Sequence, residues 1–188
     1  GMRCLSKESR RLLINEGLLP RDHAPRKIRQ YKRIILIAVE SLDLAYIGLR
    51  NPETGKSVTP FLDECREKHA FFTNFFTGSQ PTAWGLCALL LSRFDYARDV
   101  LQSPKHHPSL FTELRKHGYY GAFFNGVRRT FMNQGVVFSA LFDPDALFLR
   151  EDVTARFPNP GLTEWGLDDE TLFNAAFTVI RETADRPG

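Results

Sequence analysis

Cysteine is scarce: Cys4, Cys65 and Cys87 are the only three among 188 residues. An odd, small set without paired spacing excludes both a disulfide framework and a zinc knuckle, and leaves ordinary or buried thiols. Long apolar runs are missing too. No stretch approaches the roughly 18 residues that span a bilayer, and no secretory leader is visible. Internal repeats and low-complexity tracts are also missing, so neither a solenoid nor a disordered linker accounts for the chain.

Charge is nearly balanced overall, with 25 Lys/Arg against 22 Asp/Glu and a net charge of +3. It is unevenly spread. The first 33 residues carry ten basic and three acidic side chains, most of them in RRLLINEGLLPRDHAPRKIRQYKR. Such a segment could meet anionic lipid headgroups or nucleic acid, or simply be a solvated, partly helical leader. Tyr31 is its only aromatic residue, which weighs against stacking on single-stranded nucleic acid, and no nucleic-acid partner is expected. Residues 1–32 are therefore read as a basic leader and 33–188 as the folded domain.

What is plentiful is apolar material: 43% hydrophobic residues, including 16 Phe, enough for one sizeable core. IILIAV (34–39) is a continuous run of the kind that forms a central parallel strand, covered on both faces. TPFLDECREKH (59–69) reads as a helix with Thr59 at its cap and Pro60 in the first turn. AFFTNFF (70–76) reads as a strand, and residues 82–92 as a helix. PSLFTELRKHGY carries a Ser cap and a Gly118 stop, and YYGAFF (119–124) is a second buried strand. A helix is expected over 130–139, a short strand at ALF (140–142), and little regular structure over 143–166. DDETLFNAAFTVIRET (168–183) is a final helix capped by Asp168, with Leu172, Phe173, Ala176, Phe177 and Ile180 on one face. The alternation implies an α/β fold, a mostly parallel sheet with helices on both faces.

Two positions carry candidate chemistry. Glu40 stands where the first strand ends, at the sheet rim where α/β proteins bind ligands, although a Glu there could equally serve a loop backbone. Thr82, 42 positions later, heads the hydrophobic helix in GSQPTAWGLCALLLSRF. It could be an N-cap, or a hydroxyl nucleophile beside free N–H groups that favour an anion. A carboxylate and an alcohol are parts of a site in which a divalent cation acidifies the nucleophile.

Together, RIILIAVESLD, TPFLDE, NFFTGSQPTAWGLCALLLSRF, GYYGAFFNG and WGLDDETLFNAAF resemble the sulfatase-like domain of the alkaline phosphatase superfamily. Within it they are similar to the lipoteichoic acid synthases, phosphoglycerol transferases and phosphoethanolamine transferases. The likeness covers roughly residues 33–183 and implies an alkaline-phosphatase-like fold that continues beyond residue 188. True sulfatases carry a Cys or Ser, matured to formylglycine, eleven residues before an Arg-aromatic pair; here Thr82 stands eleven before Arg93-Phe94. Sulfatases also usually end the first strand with paired Asp, where this chain has Glu40-Ser41.

The resemblance thus implies that Glu40 and Thr82 hold a divalent metal (Mn, Mg or Zn). It further implies that Thr82 attacks the phosphorus of an anionic lipid or other phosphoester, giving a phospho-Thr82 intermediate. A sulfatase, a phosphodiesterase, or a non-catalytic domain retaining the fold is the alternative. The family completes the metal site with a distal Asp-His pair; His23, His69, His106, His107 and His117 do not match it and are expected at the surface. This chain alone is accordingly expected to be soluble and inactive, and the full-length protein to be anchored in the cell membrane with its catalytic domain outside the cytoplasm. Where lipoteichoic acid synthases carry Phe-Trp-Asn-Arg against the phosphoglycerol, this chain has Phe131-Met132-Asn133-Gln134. Asn125, Arg128 and Arg129 in the nearby NGVRR are the remaining candidates for substrate binding.

Overall fold

The computed structural model describes residues 31–77, 82–92 and 108–183, with Glu8, Arg11, Leu12 and Asn15. The chain divides into two compact units, Gly1–Leu42 and Asp43–Gly188.

In the first unit, the expected strand 34–39 is not formed: it runs without sheet pairing. Ile34, Ile35, Leu36, Ile37 and Val39 are between 51% and 61% exposed. A strand of this composition needs neighbours at both edges and cover on both faces, and among the described residues the sheet has two strands, which pair only with each other.

The second unit begins with a 3₁₀ turn, Leu44–Tyr46, and helix α1, Pro60–Lys68. Thr59 precedes α1 and Pro60 opens it, as expected. The Thr59 hydroxyl, however, donates to the Tyr46 carbonyl (2.9 Å) instead of capping the helix. Asp63 does the tying, accepting from the Ser57 hydroxyl (2.6 Å) and Gly48 N–H (2.7 Å), and these bonds, the Ser57 one first, hold its carboxyl below the usual range. Residues 70–76 form no strand; Phe72, Phe75 and Phe76 lie largely in solvent.

The core is built around a β-α-β unit. Strand β1 (Ala122–Phe124) pairs in parallel with β2 (Ala146–Phe148), Phe124 opposite Phe148, and their rings stack at 4.6 Å. Parallel neighbours need a crossover, and helix α4 (Gln134–Phe142) supplies it. The preceding helices are α2 (Thr82–Leu91) and α3 (Leu110–Arg115); α5 (Arg150–Arg156) and α6 (Asp169–Glu182) follow β2.

Alternation along the strands sends side chains into two clusters. Phe123 and Leu147 pack with Cys87, Leu90 and Leu91 of α2 and Phe138, Leu141 and Phe142 of α4. Phe148 packs instead with Val153 of α5, with Leu167 ahead of α6, and with Ala175 of α6. The sheet is therefore covered by helices on each face, an α/β arrangement as the sequence implies. The Phe123 ring lies 4.9 Å from Phe138 and 5.7 Å from Phe142, a tilted geometry aromatic pairs favour.

Three local readings are corrected. ALF at 140–142 is the end of α4, while an identical ALF at 146–148 is the strand. Asp143 in the left-handed region (φ 48°), followed by Pro144, stops the helix between them. Residues 143–166 contain β2 and α5, so they are not irregular. On α6 the buried positions are Ala175 and Val179, with Leu172 beside them; Phe173 and Phe177 stack on each other at 6.2 Å, both more than one-third exposed.

Hydrogen bonds fasten the end of the crossover and the entry to β1. Ser109 caps α3 through a reciprocal pair with Thr112, and its buried hydroxyl donates to the Phe142 carbonyl at 2.5 Å. Arg115 clamps the turn after α4, donating to the Asp143 carboxylate (2.9 Å), its carbonyl (2.6 Å) and the Asp145 carboxylate (2.7 Å). Asp145 in turn accepts from Gly121 N–H at 2.7 Å, fixing the entry to β1.

Candidate functional site

The carboxyl end of β1 delivers three of the expected site residues on one loop. Asn125 extends the ladder, its N–H donating to the Phe148 carbonyl (3.0 Å), and its side-chain oxygen accepts from Val127 N–H (3.2 Å). Its amide thus serves the loop's own backbone. Arg128 is exposed and, among the described residues, makes no side-chain hydrogen bond or ion pair. Arg129 is committed elsewhere. Its guanidinium pairs with Asp152, and its backbone N–H donates to the Glu151 carboxylate at 3.0–3.1 Å. Its side-chain stem also fills the place a Cβ would take at Gly135.

Asp152 was not singled out from the sequence. It accepts from Leu149 N–H (2.9 Å) as well as pairing with Arg129, so it caps α5 and anchors the loop after β1 together. The legible signal was a carboxylate three residues past Leu149, in a stretch read as irregular.

Arg129, Thr130, Asn133, Val136 and Ser139 line an open depression of about 520 Å³. Beside it, Met132 and Asn133 both adopt left-handed backbone (φ 48° and 56°), a conformation costly for Met in particular. The Gln134 side-chain oxygen is buried without a hydrogen-bond partner. Strain and an unsatisfied acceptor coincide in the Phe131–Gln134 stretch, where the family's substrate-contacting segment is expected.

Thr82 is the first residue of α2 and is exposed. It opens the helix, within the turn whose N–H groups lack intrahelical partners. Five residues on, Cys87 is buried, and burial pushes its thiol up to about 11. That keeps it protonated and unreactive, since the thiolate is the nucleophile. Arg93 and Phe94, the expected pair after Thr82, lie outside the described residues. Glu40 is exposed, and the Ser41 hydroxyl, on a residue with φ 56°, donates to its carboxylate at 3.4 Å. Glu40 belongs to the first unit, Thr82 and the β1 loop to the second.

Carboxylate and hydroxyl oxygens are donors that a hard divalent cation accepts. Among the described residues, no group of three or more His, Cys, Asp or Glu gathers as a metal site. His69 and His117 are exposed, as expected; His23, His106 and His107 lie outside the described residues. No helix among the described residues is long and apolar enough to cross a membrane.

The chain is 26% identical over 156 residues to a lipoteichoic acid synthase-like protein, YvgJ, of Bacillus subtilis (strain 168). That match covers 80% of this chain but 24% of the relative, so the chain spans about a quarter of the curated relative's length. No solved structure matches it. The sulfatase family model matches residues 32–188, taking in both strands, helices α1–α6, Glu40 and Thr82. The chain belongs to the sulfatase family.

Proposed function

We propose that the protein carrying this chain transfers a phosphoryl-linked headgroup, of phosphoglycerol or phosphoethanolamine type, through a covalent phospho-Thr82 intermediate. The observation that carries this reading is the contrast on α2: Thr82 exposed at its opening turn, Cys87 buried with its thiol pushed to about 11. In the first half-reaction Thr82 Oγ bonds to phosphorus while the donor's phosphorus–oxygen bond breaks and its alcohol leaves with a proton. In the second, an acceptor hydroxyl oxygen replaces Thr82 Oγ at phosphorus, and Thr82 is returned. Glu40 and Thr82 are the oxygen donors for a divalent cation (Mn, Mg or Zn). When bound, such an ion supplies charge that acidifies the Thr82 hydroxyl.

The anionic substrate is proposed to lie near the loop after β1, with Arg128 as its guanidinium contact. Arg129 and Asn125 support that loop, through Asp152 and Val127 respectively. The full-length protein is proposed to act at the cell membrane, its catalytic domain outside the cytoplasm. Hydrolysis of a sulfate ester or phosphodiester is the second reading, favoured by the family to which the chain belongs. Against sulfate stands the residue at the nucleophile position, a Thr where sulfatases have the precursor of formylglycine.

The test is turnover by the full-length gene product against a panel of phospho- and sulfo-esters, with metal titrated in. Thr82→Ala and Glu40→Gln are each expected to cost at least about a thousandfold in turnover on phosphoesters. Unchanged turnover in Thr82→Ala, or a preference for sulfo-esters, overturns the proposal.

A further inference from the structure

The end of β1 carries a reactive pair in its own backbone. Asn125-Gly126 is the only Asn-Gly step in the chain; the other asparagines precede Glu, Pro, Phe, Gln or Ala. With no side chain on the second residue, the amide nitrogen after the asparagine is unshielded, and the backbone reaches conformations closed to other residues. Such a pair is the ordinary starting point of spontaneous deamidation. In the unfolded chain Asn125 should be the first asparagine to change.

In the folded chain the same pair is tied down. Asn125 N–H donates to the Phe148 carbonyl (3.0 Å), and its side-chain oxygen accepts from Val127 N–H (3.2 Å). The Gly126 carbonyl accepts from Leu167 N–H (2.9 Å), and the Val127 carbonyl from Arg150 N–H (3.0 Å). Leu167 belongs to the turn ahead of α6, where it bridges to Leu162 and Thr163 N–H donates to the Gly166 carbonyl (2.8 Å). That turn meets the pair backbone to backbone: a Cβ on Gly166 would fall on the Gly126 carbonyl and 3.3 Å from Val127 Cα. Closing a ring between Asn125 Cγ and Gly126 N requires the side chain and the chain that follows to turn toward each other. The side chain is held through its oxygen, and the chain that follows through the Gly126 and Val127 carbonyls.

We propose that Asn125 is a modification site, a deamidation centre that the fold keeps closed and that opening of the β1 loop releases to water. Gly126 N bonds to Asn125 Cγ while the Cγ–Nδ2 bond breaks, and Nδ2 leaves as ammonia with the proton from Gly126 N. Water then opens the cyclic imide. Attack at Cγ leaves an aspartate; attack at the backbone carbonyl carbon leaves an isoaspartate. No electrons change hands in either step. Isoaspartate routes the backbone through Cβ and Cγ, one atom longer, between the ladder bond of Asn125 and the bond at Gly126. Those two bonds then lose their register, and the loop carrying Arg128 and Arg129 loses its anchor. Modification of an opened state follows the population of that state when opening and closing are fast. The rate at Asn125 therefore measures how often the bonds at Gly126 and Val127 let go.

The experiment ages the 188-residue chain in mildly alkaline buffer, with and without urea, and resolves asparagine, aspartate and isoaspartate at position 125 by peptide mass spectrometry. Amide hydrogen exchange of the unaltered native chain reads Val127 and Leu167 N–H in parallel. Asn125 is expected to convert at least about tenfold more slowly in the native than in the unfolded chain, by a factor within about threefold of the protection at those two amides. Gly166→Ala, which pushes the turn off the Gly126 carbonyl, should raise the native rate at least about threefold and leave the rate in urea unchanged. Thr171→Val is the milder variant, removing only the hydroxyl that accepts from Gly161 N–H, and its native rate should rise in step with exchange at Leu167. Equal rates in native and unfolded chain, or native conversion unrelated to exchange at Val127 and Leu167, overturns the proposal.

Discussion

Cys87 and Thr82 share a helix and have opposite fates. Cys87 points into the cluster formed with Phe138, Leu141 and Phe142, and desolvation keeps its thiol protonated. In the native chain at pH 8 the Cys87 peptide should stay unmodified by iodoacetamide over a time in which Cys65, half-buried, reacts; denaturant should abolish the difference. Peptide mass spectrometry reads both. The two neighbouring arginines divide in the same way. Arg129→Ala removes the pair with Asp152 and is expected to lower stability by up to about 1 kcal/mol, the range of a largely exposed pair. Arg128→Ala should leave the melting curve unchanged. Their neighbourhood was legible in NGVRR, but which guanidinium is spoken for was not. That depends on Glu151 and Asp152, brought in by a helix after the second strand.

Elements explain where sequence reading succeeds. Helices with strong end signals, α1, α3 and α6, are found where Thr59-Pro60, Ser109 and Asp168 place them. The two ALF tripeptides show where it fails: identical residues are helix before Asp143-Pro144 and strand after, so the punctuation decides and the propensity does not. The face of α6 was misjudged because apolar periodicity cannot choose between two adjacent stripes; packing on Val153 and Leu167 selects Ala175 over Phe173 and Phe177.

Phe142, fully buried at the end of α4, should cost about 3–5 kcal/mol when cut to Ala, measured by urea unfolding. Ser109→Ala removes the cap of α3 and the donor to the Phe142 carbonyl, with an expected loss of about 1–3 kcal/mol. At the start of α6, the Thr171 hydroxyl and N–H hold the Asp168 carboxyl below its ordinary value. A depressed carboxyl contributes stability above its unfolded pKa, and that contribution is lost as pH falls through the folded one. The melting temperature should therefore fall less between pH 6 and pH 3 in Asp168→Ala than in the unaltered chain.

At the scale of the molecule, the α/β class and helices on both sheet faces were readable from the alternation of apolar runs. The extent of the sheet was not, because 34–39 and 70–76 have strand-like composition and take no strand pairing in the described structure. Composition states what a segment can bury; whether it does so depends on the neighbours available to cover it. Glu40 and Thr82 were legible as a strand-end carboxylate and a helix-head hydroxyl, their joint role is what the family resemblance implies, and the match over residues 32–188 establishes the sulfatase family. The joint action of those two residues is the central proposal. Its most direct measurement is to incubate the full-length protein with a lipid phosphodiester donor and a divalent metal, quench in acid, and map phosphate by peptide mass spectrometry. The adduct is expected on Thr82, missing in Thr82→Ala and strongly reduced in Glu40→Gln. Phosphate trapped on another residue, or an adduct indifferent to Glu40→Gln, would contradict it.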